Sequence, residues 1–223
     1  MNVKQKPLIV AITGASGSIY GLRFVRAVTE LGYSIALTIS ESAALVMREE
    51  LGIEIANLKT SDFLASLFPQ ETLNRITYYP YFEMTAPIAS GSYPTQGMVI
   101  IPSSTAAFAR IANGISQSLI ERAAECTIKE GRKLVIVPRE TPLSAIHLEN
   151  LLKLARLSVR IVPAIPAFYS GAQTIEELVD FVIGKVLDQF EITHTLYPRW
   201  TGSDTQHNSE KEKGAQPWAE NLS

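Results

Sequence analysis

The sequence predicts a doubly wound α/β sandwich, a single domain built around a mostly parallel sheet. Three observations predict it: short apolar runs alternate with amphipathic segments, a glycine-rich turn joins the first such pair, and hydroxyls, backbone donors or charges gather just after each apolar run. Strands alternating with helices imply βαβ units whose sheet is covered on both faces. A chain of 223 residues, 46% hydrophobic, is long enough for one domain with a sizeable core.

Leu8 to Ile12 is the first strand, Thr13-Gly14-Ala15-Ser16-Gly17 the turn, and "IYGLRFVRAVTEL" the first helix. Glycines let a backbone turn tightly and approach a ligand, and the unpaired N–H groups at a helix start favour an anion. The spacing is G-x-x-G-x-x-x-G rather than the dinucleotide G-x-G-x-x-G. The turn therefore reads either as a phosphate cradle for an unspecified cofactor or as a plain tight connection. "SIALTIS" is the second strand and "ESAALVMREEL" its helix, followed by a less regular stretch to Gly91. "GMVIIP" and "KLVIVP" are strands, with "SLIERAAECTIKEG" helical between them. "LSAIHLENLLKLARL" is helical on the spacing of Leu148, Leu151, Leu152 and Ala155, and "RIVPAIP" is the next strand. "TIEELVDFVIGKVLDQF" is the last helix, with Thr174 and Glu177 at capping-box spacing. The arrangement is Rossmann-like, or flavodoxin-like. Residues 1–200 form the domain, and 201–223, polar and without periodicity, read as a mobile tail.

Composition removes several classes of function. A net charge of -2 argues against a nucleic-acid partner, whose phosphates need a basic surface. One cysteine, Cys126, excludes an intrachain disulfide framework, and the N-terminal apolar run is too short for a signal peptide or a membrane span, so the expected location is the cytoplasm. His147, His194 and His207 are far apart, and neither H-E-x-x-H, C-x-x-C nor D-D-x-x-D occurs, so no essential metal is expected.

In an open α/β sheet, ligands bind outside the carboxyl ends of the strands. Those ends carry Gly14, Ala15 and Ser16; Ser40; Ser103, Ser104 and Thr105; Arg139 and Glu140; and Tyr169. Any one hydroxyl here reads as a helix cap; their convergence suits a phosphate-bearing ring cofactor, with Arg139 as the positive charge. Lys185 lies at the edge of the apolar stripe Ile175, Leu178, Val179, Val182 and Val186, where it either snorkels to solvent or reaches an anion. Ala89 to Ser92 are small residues in a row, which form either a flexible loop or a place where a flat ligand or a neighbouring chain approaches the backbone.

The segments "TGASGSIYGLR", "ASGSYPTQGMVIIPSS", "LIERAAE", "VPRETPLSAIHLENLLKL", "PAIPAFY" and "PRW" together resemble the flavin prenyltransferases of the UbiX family, from Pro7 to Trp200. That family joins a dimethylallyl group to FMN, making the prenylated flavin used by UbiD-type decarboxylases. The resemblance implies that Gly14, Ala15, Ser16, Ser40, Ser104, Thr105, Ala106, Ala107 and Arg139 bind FMN. It implies that Lys129, Arg139, Tyr169 and Lys185 hold dimethylallyl phosphate, with Glu140 beside the phosphate. Ser16 and Glu50, the latter from a neighbouring subunit, match positions tied to the later ring closure. A homododecamer with sites at subunit contacts is also implied. The chain departs from another member's pattern at Met84, where that member has Trp in the prenyl-lining loop, and at Lys185, where it has Arg. Met still packs on an isoprenyl chain, whereas Lys keeps the charge and loses the bidentate fork.

On this reading, side-chain cations do what Mg²⁺ and carboxylate clusters do in other prenyl transfers, and Glu140, packed near phosphate, is the expected proton donor to the leaving group. A short-chain dehydrogenase would need Y-x-x-x-K, and none of the eight tyrosines has Lys four residues on. A flavin-dependent cysteine decarboxylase would need a histidine where none precedes His147. A flavin-binding protein without turnover keeps the same pocket and stays open as a reading.

Overall fold

The computed structural model describes residues 6–52 and 60–200. Six parallel strands form one sheet in the order β3-β2-β1-β4-β5-β6: β1 (Leu8–Ile12), β2 (Ile35–Ile39), β3 (Ile76–Tyr78), β4 (Gly97–Ser103), β5 (Leu134–Pro138) and β6 (Arg160–Ile161). Every residue of β1, β2, β4 and β5 is buried, as expected of parallel strands covered on both faces.

Alternate strand residues supply two separate cores, because successive side chains point to opposite faces. Leu8, Val10, Ile12, Leu37 and Val99 pack under α1 (Ser18–Glu30), α2 (Glu41–Leu51), α3 (Thr60–Leu67) and α8 (Ile175–Gln189). Ile9, Ala11, Met98, Ile100 and Ile136 pack under α5 (Thr105–Ala112), α6 (Leu119–Lys129) and α7 (Ala145–Arg156). The strand order reverses between β1 and β4, so the crevice above their carboxyl ends is the place this topology reserves for a ligand. Setting aside the short edge strand β3 leaves the five-stranded flavodoxin order, which reconciles the two names given to the fold.

Several elements differ from the sequence reading. The irregular stretch before Gly91 contains α3, a short helix α4 (Gln70–Leu73) and the edge strand β3, whose residues are only partly covered and show no apolar run. Residues from Thr105, given no element in the sequence reading, begin α5. The strand expected over 160–166 is a two-residue β6, because Pro163 and Pro166 lack the N–H that a ladder needs. Ile175 is 70% exposed, so the α8 stripe begins at Val179 and includes Phe181, Ile183 and Leu187. On α7, Leu151 and Leu154 face the core while Leu148 and Leu152 face outward beside Ile146. The Thr174–Glu177 capping box is present. The tail from Thr201 lies outside the described residues.

Candidate functional site

The glycine turn is shaped by two close approaches. Gly17 has φ 96°, a left-handed conformation that disfavours a side chain, and it precedes α1 without offering one as a cap. Gly21 lies against the sheet so tightly that a Cβ there would stand 2.6 Å from the Ile101 carbonyl oxygen. Helix α1 therefore starts directly over the end of β1.

The N-terminus of α1 already holds an anion supplied by this chain. Glu50, in the last turn of α2, accepts the Gly17 N–H at 2.8 Å and the Ser18 N–H at 2.9 Å. Burial pushes the Glu50 carboxyl up, but hydrogen bonding from the Ser16–Ser18 turn outweighs it and holds the group below its ordinary value. The resemblance implied a Glu50 from a neighbouring subunit; in this structure Glu50 of the same chain binds the two amides that follow Ser16. Two first-turn amides of α1 are thus engaged, and a phosphate must seek donors elsewhere or displace the carboxylate.

Such donors exist at the next two strand ends. Ser40 caps α2 by accepting the Ala43 N–H at 3.1 Å, and Ser104 caps α5 by accepting that of Ala107 at 3.3 Å. The cap reading is correct for both. It leaves the first amides of α5, those of Thr105 and Ala106, without intrahelical partners at the end of β4, the strand next to β1. Buried Thr13, overlooked in the sequence, fixes that geometry: its hydroxyl donates to Pro102 O at 3.0 Å and accepts the Ser104 N–H at 2.7 Å.

Arg139 completes this end of the sheet. Its backbone N–H donates to Ser103 O at 3.3 Å and its Nε to Ser16 O at 2.7 Å, so the side chain crosses from β5 to the β1 turn. Neither Nη has a hydrogen-bond partner among the described residues. Tyr20 packs on the same turn, 3.0 Å from where a Gly17 Cβ would stand; burial raises its phenol above the ordinary value, and nearby Arg139 opposes the rise. Its position one helical turn after Gly17, facing the loop, was the available signal for it. Glu140 is exposed, its carboxylate accepting the Thr141 N–H at 2.9 Å.

The remaining predicted residues do not join this cluster within one chain. Lys129 ends α6, before β5 begins, and so lies at the opposite end of the parallel sheet, bonded to Glu130 at 2.8 Å. The small residues Ala89 to Ser92 are there too, and two guanidinium groups reach their backbone: Arg122 donates to Ala89 O at 3.0 Å and Arg132 to Gly91 O at 2.6 Å. Tyr169 is 65% exposed beyond β6 and packs edge-on against Phe181 and Trp200. Lys185 is an exposed break in the otherwise buried run Phe181 to Leu187, and lines an apolar cavity of about 330 Å³ with Val162, Pro163, Ile165 and Phe181. Met84 is 45% exposed in the connection between β3 and β4. Among the described residues, no group of His, Cys, Asp or Glu is arranged to hold a metal ion, and no helix is long and apolar enough to cross a membrane.

Comparison with known proteins agrees with this architecture. The Flavoprotein family model matches residues 1–187. The flavin prenyltransferase UbiX of Halalkalibacterium halodurans is 45% identical over 208 residues, covering 93% of this chain and 100% of the relative. A crystal structure of AnUbiX (PadA1) in complex with FMN and dimethylallyl pyrophosphate superimposes with a TM-score of 0.79 at 34% identity, covering 90% of this chain and 100% of that one. A dodecameric FMN-dependent UbiX-like decarboxylase from Escherichia coli O157:H7 gives a TM-score of 0.76 at 39% identity, covering 88% and 100%.

Proposed function

The chain belongs to the UbiX flavin prenyltransferases, and from that membership we propose that it transfers the dimethylallyl group of dimethylallyl phosphate to N5 and then C6 of reduced FMN, without a metal, and passes the product to a UbiD-type decarboxylase. The observation that carries this reading is the meeting of Ser16, Glu50 and Arg139 above the β1–β4 crevice, beside the open amides of Thr105 and Ala106. That donor set fits a flavin phosphate: hydroxyls of Ser40 and Ser104, helix-end amides, Gly14 and Ala15 backbone, and a guanidinium. Bound reduced flavin supplies the nucleophilic N5.

Breaking the allylic C–O bond puts positive charge on the allyl group and negative charge on the departing phosphate. Arg139 receives part of that charge through its free Nη groups, with Lys185 and the Tyr169 hydroxyl as further donors. Glu140 follows Arg139 directly and is the proposed proton donor to the phosphate, a role that requires it to bind a proton before the donor's C–O bond breaks. Lys129 reaches the same phosphate only from another copy of the chain, because it stands at the far end of its own sheet from Arg139. A shared site of this kind requires assembly, for which the outward Ile146, Leu148 and Leu152 of α7 supply an apolar face and a homododecamer is the proposed form. Glu50, held ionised by the Gly17 and Ser18 amides, accepts the proton released at ring closure, with the Ser16 hydroxyl as the proposed relay. Cytoplasmic residence fits a donor and an acceptor that are both water-soluble phosphates.

The test is functional transfer. Product from an incubation of this protein with reduced FMN and dimethylallyl phosphate should activate a UbiD-type decarboxylase prepared without cofactor; FMN alone should not. Equal activity in both samples contradicts the proposal.

A further inference from the structure

The C-terminal segment that follows α8 folds back onto a single carboxylate. Asp188 accepts Arg199 Nη1 at 2.8 Å and Nη2 at 2.5 Å, the Tyr197 hydroxyl at 2.7 Å, and His194 Nε2 at 3.2 Å. His194 is fully enclosed, with 1% of its side chain exposed, and its Nδ1 accepts the Leu196 N–H at 3.2 Å, so the proton that meets Asp188 sits on Nε2. A carboxylate offers about four lone-pair positions, and these donors occupy all of them. Lys185, one turn earlier on the same helix, makes an ion pair with Asp188 at 3.8 Å, too long for a hydrogen bond, and lines the apolar cavity beside β6.

An i, i+3 lysine and aspartate on one helix ordinarily pair. Here the pair is long and not hydrogen-bonded, because four closer donors occupy the carboxylate. We propose that Arg199, Tyr197 and His194 saturate Asp188 and thereby leave the N–H donors of Lys185 to the phosphate of the prenyl donor, which makes Arg199 and Tyr197 positioning residues for that step. The inference rests on the reading that Lys185 binds the phosphate. The same segment carries Trp200 onto Tyr169, at 6.4 Å between ring centres, so the carboxylate also anchors the support of the second phosphate donor.

The decisive comparison is the KM for dimethylallyl phosphate in Arg199→Gln, in Tyr197→Phe, in Asp188→Asn combined with Arg199→Gln, and in Lys185→Met, with FMN affinity and melting temperature measured alongside. Emptying a lone pair on Asp188 lets it capture Lys185, so Arg199→Gln raises KM by about tenfold and Tyr197→Phe, which changes no charge, raises it by about threefold, with FMN affinity unchanged. Removing the carboxylate as well releases Lys185, so the double variant returns to within about threefold of the parent KM. A purely structural anchor gives the opposite ranking, with the double variant at least as impaired as Arg199→Gln. That ranking, or an effect of Arg199→Gln that Tyr197→Phe does not share, overturns the inference while a raised KM in Lys185→Met keeps the phosphate reading intact. A normal KM in Lys185→Met overturns both.

Discussion

Arg139 Nε donates to the carbonyl oxygen of Ser16 at 2.7 Å, joining two loops separated by 123 residues of chain. The bond uses the one nitrogen that points along the side chain and leaves the two terminal ones for an anion. It also fixes Ser16 in the turn whose next two amides bind Glu50.

Arg139→Lys should weaken both ligands. Lysine keeps the charge but cannot hold Ser16 and a phosphate together. Loss of a charge-assisted hydrogen bond costs about 1.5–3 kcal/mol, roughly ten- to a hundredfold in affinity. Titrations with FMN and with dimethylallyl phosphate check this, and unchanged affinity for both would separate Arg139 from the site.

Glu50→Gln should slow ring closure after prenyl transfer has taken place, because the proton acceptor is lost while the shape is kept. Rapid-mixing absorbance would then show an accumulating uncyclised species. The parent should also be the more stable protein at neutral pH, by about 1 kcal/mol as for a lost helix cap, or roughly 2–4 °C in Tm. The folded-state pKa lies below the ordinary 4.5, so this advantage is present above pH 4.5 and disappears as the pH falls through the lower folded value. An advantage that persists at lower pH would mean the carboxylate is not what caps α1.

Much of the fold is legible because the buried parallel strands are continuous apolar runs that stop at a turn or at Pro, as at Leu8 to Ile12 before the Thr13-Gly14 turn and at Leu134 to Pro138. Strand β3 is not legible, since an edge strand with partly covered residues carries no such run. For the site, Ser16, Ser40, Ser104 and Arg139 announce themselves by following strands. The Asp188 cluster does not, because a carboxylate on a helix face gives no sign that a segment from His194 to Arg199 will return to it. The position of Lys129 was hidden for a different reason: a motif match names residues together without saying that one of them ends α6 at the far end of the sheet.

Tyr197 makes the C-terminal segment sensitive to alkali. Burial and the Asp188 carboxylate push its hydroxyl from 10.0 up to about 12. A raised folded value stabilises the protein below pH 10 and loses that contribution as the pH climbs from 10 to about 12. Thermal unfolding measured across that range should fall less steeply for Tyr197→Phe than for the parent; parallel curves would remove the bond from the account.

Turnover should survive excess EDTA, and Lys185→Met should raise the dissociation constant of dimethylallyl phosphate by roughly ten- to a hundredfold while FMN affinity barely changes. Isothermal titration of each ligand reads both effects. Loss of activity with EDTA would mean that side-chain cations do not suffice for the leaving phosphate.

The central claim, that this chain prenylates FMN, is tested most directly by mass spectrometry of the flavin recovered after anaerobic incubation of the protein with reduced FMN and dimethylallyl phosphate. The account predicts a flavin heavier by one dimethylallyl unit, formed by the parent protein and strongly reduced in Arg139→Lys. Recovery of unmodified FMN from a protein that binds both ligands would contradict it and leave a flavin-binding protein without turnover.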